Sequence, residues 1–198
     1  MLFVPPGDRR KGIEQLTEAA AKGRYARTEA AYFLMQIFYF YEKDYPRSLA
    51  LALDLNRRYP ENMLFHRYLG RSYAALANWS SAGLVFQDIQ ARVRRGQRGY
   101  TANAEREAEY YLGVAAMNAG ELDSALQHFF RCDELSRSLD SAEASGFMAL
   151  ANLKAGNIYD LQSRRDLALV QYRKVLGLKE YQDSHGSARQ FLLAPYAH

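Results

Sequence analysis

Apolar residues recur three and four positions apart along most of the chain, in segments separated by short polar breaks. In the stretch 68–89, apolar side chains at this spacing lie on both sides of the break Ala77-Asn78-Trp79. Such spacing places apolar side chains on one face of an α-helix. A short break between two helices makes them antiparallel neighbours. The pattern therefore predicts an all-α chain built from helical hairpins.

Three hairpins share the same internal spacing of small and aromatic residues. In each, an alanine follows a glycine by 12 residues, and a large aromatic residue follows the alanine by four. The three sets are Gly70, Ala82 and Phe86; Gly113, Ala125 and Phe129; and Gly156, Ala168 and Tyr172. Small residues on both helices let the two backbones approach closely. The aromatic ring is then expected to fill the wider part of the same interface.

These residues resemble the tetratricopeptide repeat, a helix–turn–helix unit of about 34 residues with Leu-Gly, Tyr, Ala and a bulky aromatic in order. The segments 63–96, 106–139 and 149–182 match the pattern in register, and 29–62 is a degenerate copy. The degenerate copy has Gln36 in place of glycine and Ser48 in place of alanine. The resemblance implies an α-α superhelix, or solenoid, of antiparallel helix pairs in one repeat domain over residues 1–198.

The later repeats are spaced more widely than the first two. They begin 43 residues apart, so the segments 97–105 and 140–148 are additional. Neither segment contains proline, and we expect both to lengthen helices rather than to form loops. Asp140 with Glu143 three residues later reads as a capping box. It predicts a long helix from Asp140 to about Gln162.

Both ends of the chain carry helical patterns outside the four repeats. Segment 183–194 predicts a C-terminal helix that covers the last apolar face of the stack, as solenoids require. Segment 7–24 looks like the second helix of a repeat whose first helix is missing. This fits the C-terminal part of a longer repeat protein, and the alternative is a simple N-terminal cap.

Composition narrows the class of protein without identifying a ligand. The net charge of +4 is modest for a dedicated nucleic-acid binder. No apolar stretch approaches the roughly 20 residues that span a bilayer, and no secretory signal is visible at the N-terminus. We expect a soluble protein of the cytoplasm, or of the periplasm if the chain belongs to a longer protein. The single cysteine excludes an intramolecular disulfide.

The resemblance implies that a partner binds the concave surface, which the first helix of each repeat lines. In this register the candidate groove residues are Phe33, Arg67, Arg71, Tyr110, Asn118, Lys154 and Asn157. Arg67 and Arg71 lie four positions apart and point the same way from one helix. They are expected to receive a carboxylate or an acidic peptide, because arginine matches carboxylate geometry with two donors. The alternative is that both are surface arginines paired with neighbouring acids.

A second charged feature is a run of arginines between the second and third repeats. The candidate anion or phosphate patch comprises Arg92, Arg94, Arg95 and Arg98. The favoured interpretation is a solvated helix end, since cations are stabilising at helix C-termini. Phosphate binding, and with it nucleic-acid binding, is the weaker alternative because no aromatic interleaving supports it.

Segment 32–45 contains seven Tyr and Phe residues, too many for one helix face. They are expected either to pack on the preceding partial repeat, which we favour, or to form an interaction surface. Cys132 occupies a packing position and is expected to be a small buried hydrophobe. The histidines lack zinc-ligand spacing, and no phosphate loop or nucleophile motif is present. We therefore predict no catalytic residue, no metal and no cofactor.

The sequence thus predicts a non-enzymatic scaffold or adaptor that binds a peptide or helical segment of a partner protein in a concave groove. One alternative is a structural module of a larger repeat protein that associates with itself. A nucleic-acid-binding helical repeat is the third and weakest alternative, and only the arginine run supports it.

Overall fold

The computed structural model describes residues 8–141 and 144–197, and within them every regular element is helical. Ten α-helices follow in order: α1 (Arg9–Lys22), α2 (Arg27–Gln36), α3 (Tyr45–Arg58), α4 (Met63–Ala75), α5 (Trp79–Arg94), α6 (Ala102–Asn118), α7 (Leu122–Leu139), α8 (Phe147–Leu161), α9 (Arg165–Leu176) and α10 (Ser184–Leu193). α2 continues directly into a π-helical turn, Ile37–Tyr41. The predicted all-α class is confirmed. No helix in the described ranges is both long and apolar enough to cross a membrane.

The chain divides into two compact units, Met1–Asn78 and Trp79–His198. In the N-terminal unit α1 packs on α2, α2 on α3, and α3 on α4. In the C-terminal unit each helix from α5 to α10 packs on the next, and α10 also contacts α8. The C-terminal helix predicted at 183–194 is therefore present and covers the end of that unit. The single repeat domain and its repeat boundaries remain a prediction.

Glycine opposite an aromatic ring sets how closely the helices of the C-terminal unit pack. A Cβ atom added at Gly113 would lie 2.7 Å from Cε1 of Phe129, and one added at Gly156 would overlap the ring of Tyr172. Both rings are fully buried, as are Ala125 and Ala168 on the same helices. The predicted small–aromatic packing is confirmed for the hairpins α6–α7 and α8–α9.

The degenerate repeat in the N-terminal unit replaces this packing with buried hydrogen bonds. Ser48, which stands where the other repeats have alanine, is fully buried on α3. Its Oγ donates to the backbone carbonyl of Met35 at 3.1 Å and lies 3.2 Å from Oγ of Ser72 on α4. A buried hydroxyl needs such partners, because an unpaired one costs about 1–3 kcal/mol. Ser48 thus links three helices where alanine would only fill space.

The segments between the later repeats do not lengthen helices as far as the sequence predicted. α5 ends at Arg94 and α6 begins at Ala102, so most of 97–105 splits into a turn and the first residues of α6. α7 ends at Leu139, and α8 begins at Phe147 after Gly146 with φ of 85°. The predicted continuous helix from Asp140 to Gln162 is wrong.

The carboxylate of Asp140 has a different role from helix capping. It accepts a hydrogen bond from Arg106 of α6 at 2.6 Å in an ion pair whose two side chains are buried. The hydroxyl of Ser145 donates to its second oxygen at 3.1 Å. Glu143, the other half of the predicted capping box, lies outside the described residues. A buried carboxylate paired with arginine holds the α7–α8 connection, so the chain turns there instead of continuing as a helix.

A second buried carboxylate joins three helices of the C-terminal unit. Asp133 on α7 accepts hydrogen bonds from Lys174 of α9 at 2.8 Å, Arg137 at 2.7 Å and Asn152 of α8 at 2.6 Å. Burial by itself raises the pKa of Asp133, but these three donors outweigh it and hold the pKa below its ordinary value. The charged form is therefore the stable one in the folded protein.

We expect Gly156→Ala to lower the free energy of unfolding by about 1–3 kcal/mol, because its Cβ would overlap the buried ring of Tyr172. The matched control is Gly83→Ala on α5, where an added Cβ would meet only the Cβ of Ala115 at an ordinary 3.8 Å. That control should gain about 0.5–1 kcal/mol, since alanine is favoured over glycine inside a helix. Urea unfolding measures both. Equal effects of the two substitutions would contradict the proposed close approach.

We expect Asp133→Asn to lower the free energy of unfolding at neutral pH by about 3 kcal/mol, because Lys174 loses its buried partner. The pKa of Asp133 is lowered from 3.8 on folding, so its stabilisation is complete above that value and is lost as the pH falls through the folded pKa. The difference between wild type and variant should therefore shrink in acid. Urea unfolding at neutral and acidic pH tests this, with the exposed neighbour Glu134→Gln as control. A difference that stays constant with pH would refute the assignment.

Candidate protein-interaction surface

Aromatic and arginine side chains from α2, the π-helical turn and α4 form a connected surface in the N-terminal unit. The ring centroid of Tyr32 lies 5.8 Å from that of Phe33 and 6.0 Å from that of Tyr68. The ring of Phe40 lies 6.2 Å from Tyr68 in an edge-to-face arrangement. The set we call the α2–α4 surface comprises Tyr32, Phe33, Gln36, Phe40, Arg67, Tyr68 and Arg71.

Gln36 is the polar centre of the α2–α4 surface. Its amide nitrogen donates to the hydroxyl of Tyr32 at 2.8 Å and to the hydroxyl of Tyr68 at 2.9 Å. One side chain thus satisfies two tyrosines on different helices and connects α2 to α4. The other repeats have glycine here, so a departure from the repeat pattern creates this part of the surface. The sequence shows that position 36 departs from the repeat pattern, but it does not indicate the two hydrogen bonds that Gln36 makes.

The crowded aromatic segment, part of which forms the π-helical turn, contains both buried and exposed rings. Phe38 is buried, whereas Phe33 and Phe40 keep 52% and 50% of their surface exposed and Tyr41 keeps more. A π-helical turn changes the rotation per residue and redirects the side chains that follow it, and such turns recur at functional sites. Phe38 is therefore a core residue, whereas Phe33, Phe40 and Tyr41 supply exposed apolar area, and the favoured packing of the segment on the preceding partial repeat remains a prediction.

Two predicted groove residues, Arg67 and Arg71, lie half-buried on α4 beside these rings. The guanidinium carbon of Arg71 lies 5.5 Å from the ring centroid of Tyr68. Burial raises the pKa of the Tyr32 phenol, Tyr68 raises it further, and the positive charges of Arg67 and Arg71 oppose that rise. Each guanidinium has five donors, so it can bind a ligand carboxylate in addition to its contacts within the protein.

Two other predicted groove residues, Tyr110 and Asn157, pack inside the C-terminal unit. The ring of Tyr110 lies 6.0 Å from Phe129 and 5.5 Å from Phe147, and burial raises the pKa of its phenol. Asn157 is 3% exposed and accepts a hydrogen bond from the hydroxyl of Tyr172 at 3.1 Å. The same hydroxyl donates to Asp160 at 2.8 Å, so Asn157 lies in a buried polar cluster and its role in a groove remains a prediction.

The last two predicted groove residues lie at the surface of the C-terminal unit. Asn118 is exposed at the end of α6, where its amide donates to the carbonyl of Val114 at 2.8 Å. Lys154 is half-buried on α8, and burial lowers the pKa of its amino group. Of the seven predicted residues, Phe33, Arg67 and Arg71 share the α2–α4 surface. The remaining four belong to the other unit.

The arginine run is partly neutralised by Asp88 on the same helix. Arg92 forms a 2.8 Å ion pair with Asp88 and lies 5.4 Å from the ring of Tyr100, and Arg95 lies 3.8 Å from the same carboxylate. Arg94 and Arg98 are exposed. The favoured interpretation as a solvated helix end agrees with this pairing, and the four arginines do not converge on one anion.

The C-terminal unit also contains a polar cleft of about 480 Å³ that sequence reasoning missed. The buried carboxylate of Glu109 lies 2.7 Å from Nδ1 of His128 and accepts a hydrogen bond from Gln90 at 2.5 Å. Arg131 pairs with Glu105 at 3.1 Å and with Glu134 at 2.8 Å. Gln90 and His128 each lie 19 residues from Glu109 on another helix, so the sequence does not indicate that these side chains meet. Glu105, Glu109 and Arg131 of the cleft are thus paired within the protein.

In the described parts of the chain, no three His, Cys, Asp or Glu side chains lie close enough together to hold a metal ion. Cys132 is fully buried, and burial raises the pKa of its thiol to about 12. The prediction that Cys132 is a small buried residue is confirmed. A thiol held protonated in this way is not a nucleophile at neutral pH.

A solved structure titled "MamA AMB-1 P212121" is similar to this chain. The TM-score is 0.55 at 19% sequence identity, and the match covers 94% of this chain and 95% of that chain. No family model and no curated protein matches the sequence. Together with the consecutive packing of the helices, this likeness confirms the predicted α-α superhelix class and concerns the fold alone.

We expect Gln36→Leu to lower the free energy of unfolding by about 1–2 kcal/mol, since the hydroxyls of Tyr32 and Tyr68 lose their shared donor. Gln36→Glu is the matched control. Its carboxylate can accept a hydrogen bond from each tyrosine hydroxyl, so the link between α2 and α4 is kept with the donor roles reversed. Urea unfolding of the three proteins provides the comparison. A Leu variant as stable as wild type would show that the amide contributes nothing to this packing.

Proposed function

We propose that the protein is a non-enzymatic, tetratricopeptide-type scaffold that binds a peptide or helical segment of a partner protein on the α2–α4 surface. The observation that carries the proposal is the half-exposed pair Phe33 and Phe40, whose rings contact Tyr32 and Tyr68, together with Arg71, whose guanidinium lies 5.5 Å from the ring of Tyr68. Aromatic and arginine residues are the types most enriched at the energetic centres of protein interfaces. The proposed partner segment is apolar along one side and carries an acidic residue.

The composition of the α2–α4 surface supports protein rather than small-molecule binding. Phe33 and Phe40 offer flat apolar area instead of an enclosed cavity, and the tyrosine hydroxyls beneath them are already bonded to Gln36. A rigid aromatic base loses little side-chain entropy on binding. The likeness in fold to a helical repeat protein agrees with a scaffold role and does not identify a partner.

An apolar groove on α1 favours one alternative, self-association. The groove has a volume of about 430 Å³ and is lined by Ile13, Leu16, Ile37 and Tyr41 around Gly12, where an added Cβ would meet nothing within 4 Å. Gly12 and Leu16 have the four-residue spacing of the Ala–aromatic pairs on α7 and α9, which are fully buried. A helix from a second copy of the chain would cover them in the same way.

The test is selection of binders from a displayed library of random peptides, followed by fluorescence anisotropy with the purified protein. We expect enriched peptides to combine aromatic or aliphatic residues with Asp or Glu. Phe33→Ala and the double variant Arg67→Ala/Arg71→Ala should each weaken binding about five- to tenfold, the usual effect of removing an interface anchor.

The matched controls are Leu84→Ala and Arg94→Ala, exposed residues of the C-terminal unit outside this surface. Both should bind the selected peptides as wild type does. Peptides whose affinity is insensitive to the α2–α4 substitutions would place the binding site elsewhere and refute the proposal. Failure to select any peptide, with a mass that rises with protein concentration in sedimentation, would support self-association instead.

A further inference from the structure

A second pocket of the N-terminal unit has four aromatic rings among its lining residues. It lies where the turn before α2 meets the α3–α4 connection and has a volume of about 490 Å³. The ring centroid of Phe65 lies 5.9 Å from that of Tyr32 and 5.8 Å from that of Tyr59, both tilted by about 55°. Tyr25 adds a fourth ring that is 86% exposed. Such a set of rings presents several π faces to one space.

One carboxylate stands beside these rings. Glu29, in the first turn of α2, is the only residue with a formal charge at neutral pH among the described residues that line the pocket. It is exposed, and no hydrogen bond or ion pair to it occurs within the described parts of the chain. The other acids of this unit on helices, such as Glu14, Glu18 and Asp54, have basic partners. The carboxylate of Glu29 is therefore available to pair with a cationic ligand.

Two arginines of the protein already lie within reach of these rings. The guanidinium carbon of Arg24 lies 5.7 Å from the ring centroid of Tyr25, and that of Arg58 lies 5.6 Å from the ring centroid of Tyr59. Both distances are within the range of a cation–π interaction. Arg58 is also paired with Asp54 at 2.7 Å, so its charge is offset locally.

The remaining polar groups of the pocket are committed within the protein. The hydroxyl of Tyr59 lies 2.8 Å from that of Thr28. The side-chain oxygen of Asn62 caps α4 by accepting from the backbone amides of Leu64 at 3.0 Å and Phe65 at 3.4 Å. A ligand therefore meets ring faces and one carboxylate. An anion would be repelled by Glu29, and a neutral apolar group would form no ion pair with its carboxylate.

We infer that this pocket binds a cationic side chain, lysine or arginine, of the same partner segment that occupies the α2–α4 surface. The inference rests on the proposed function for the identity of the ligand as part of a protein. Tyr32 belongs to both sites, and its ring lies 5.8 Å from that of Phe33 and 5.9 Å from that of Phe65. The segment thus has a defined direction, with its acidic residue at Arg67 and Arg71 and its basic residue at Glu29.

The pocket is tested first with single amino-acid derivatives, which need no partner protein. Nα-acetyl-lysine amide and its uncharged counterpart Nα-acetyl-norleucine amide are titrated into ¹⁵N-labelled protein. We expect lysine to shift the backbone amide signals of Tyr25, Glu29 and Asn62 and to bind more tightly than norleucine. Glu29→Gln should weaken lysine binding about two- to fivefold, as loss of an exposed charge pair does. Norleucine binding should be unchanged in that variant.

Two further variants separate ring chemistry from folding. Tyr59→Phe keeps the π face and should bind lysine as wild type does, whereas Tyr59→Leu removes the face and should weaken binding about two- to fivefold. The amide spectrum of each variant shows whether the fold is kept. Equal binding of lysine and norleucine, or lysine binding that is indifferent to Glu29→Gln, would overturn the inference.

The last arm distinguishes this inference from the proposed function. Phe33→Ala should leave binding of the lysine derivative unchanged while it weakens binding of the selected peptides. Replacing the basic residue of a selected peptide by norleucine should weaken its binding to wild type more than its binding to Glu29→Gln, in which only the ring faces still attract the cation. If the pocket binds the lysine derivative but no peptide can be selected that depends on the α2–α4 surface, the proposed function is refuted and the pocket is a site for free cations instead.

Discussion

The close approach of a glycine on one helix to an aromatic ring on the next is the contact on which the rest of the C-terminal unit depends. Gly113 against Phe129 and Gly156 against Tyr172 leave no room for a Cβ atom. Dispersion energy falls off steeply with small gaps, so interiors tolerate little change in volume at such contacts. The hairpins must therefore pack at this distance, and the positions of all outward-facing side chains follow from it.

The N-terminal unit shows what happens when the same positions carry polar residues. Gln36 and Ser48 replace the small residues, and both use hydrogen bonds to link neighbouring helices. Gln36 is larger than the glycine that the other repeats have at this position. Tyr32 and Tyr68 are held by its amide, and Phe33 and Phe40 are left half-exposed. The proposed binding surface is thus the structural consequence of a degenerate repeat.

Buried charges have a different distribution from the proposed binding groups. Asp133 and Asp140 each join helices of the C-terminal unit through arginine, lysine or asparagine donors. Removing one partner of such a pair leaves a desolvated charge, so these residues specify how the helices connect. Glu29, by contrast, stands at the surface beside aromatic rings with no basic partner in the described residues. Asp133 and Asp140 therefore stabilise the fold, whereas the carboxylate of Glu29 is placed to pair with a ligand.

Helical periodicity and the Gly–Ala–aromatic spacing by themselves determined the all-α class, the hairpins α6–α7 and α8–α9 and the final helix Ser184–Leu193. Those features depend on local spacing, which a sequence displays directly. The end of α7 at Leu139 and the burial of Asn157 were decided only by tertiary structure. The hydrogen bonds of Gln36 to Tyr32 and Tyr68 were also decided only by tertiary structure. In each case the residue has a partner that is distant in sequence: Arg106 pairs with Asp140, the Tyr172 hydroxyl lies 3.1 Å from Asn157, and Tyr68 accepts from Gln36. Hydrogen bonds and ion pairs between helices leave no periodic trace in the sequence, because they depend on which residues packing brings together.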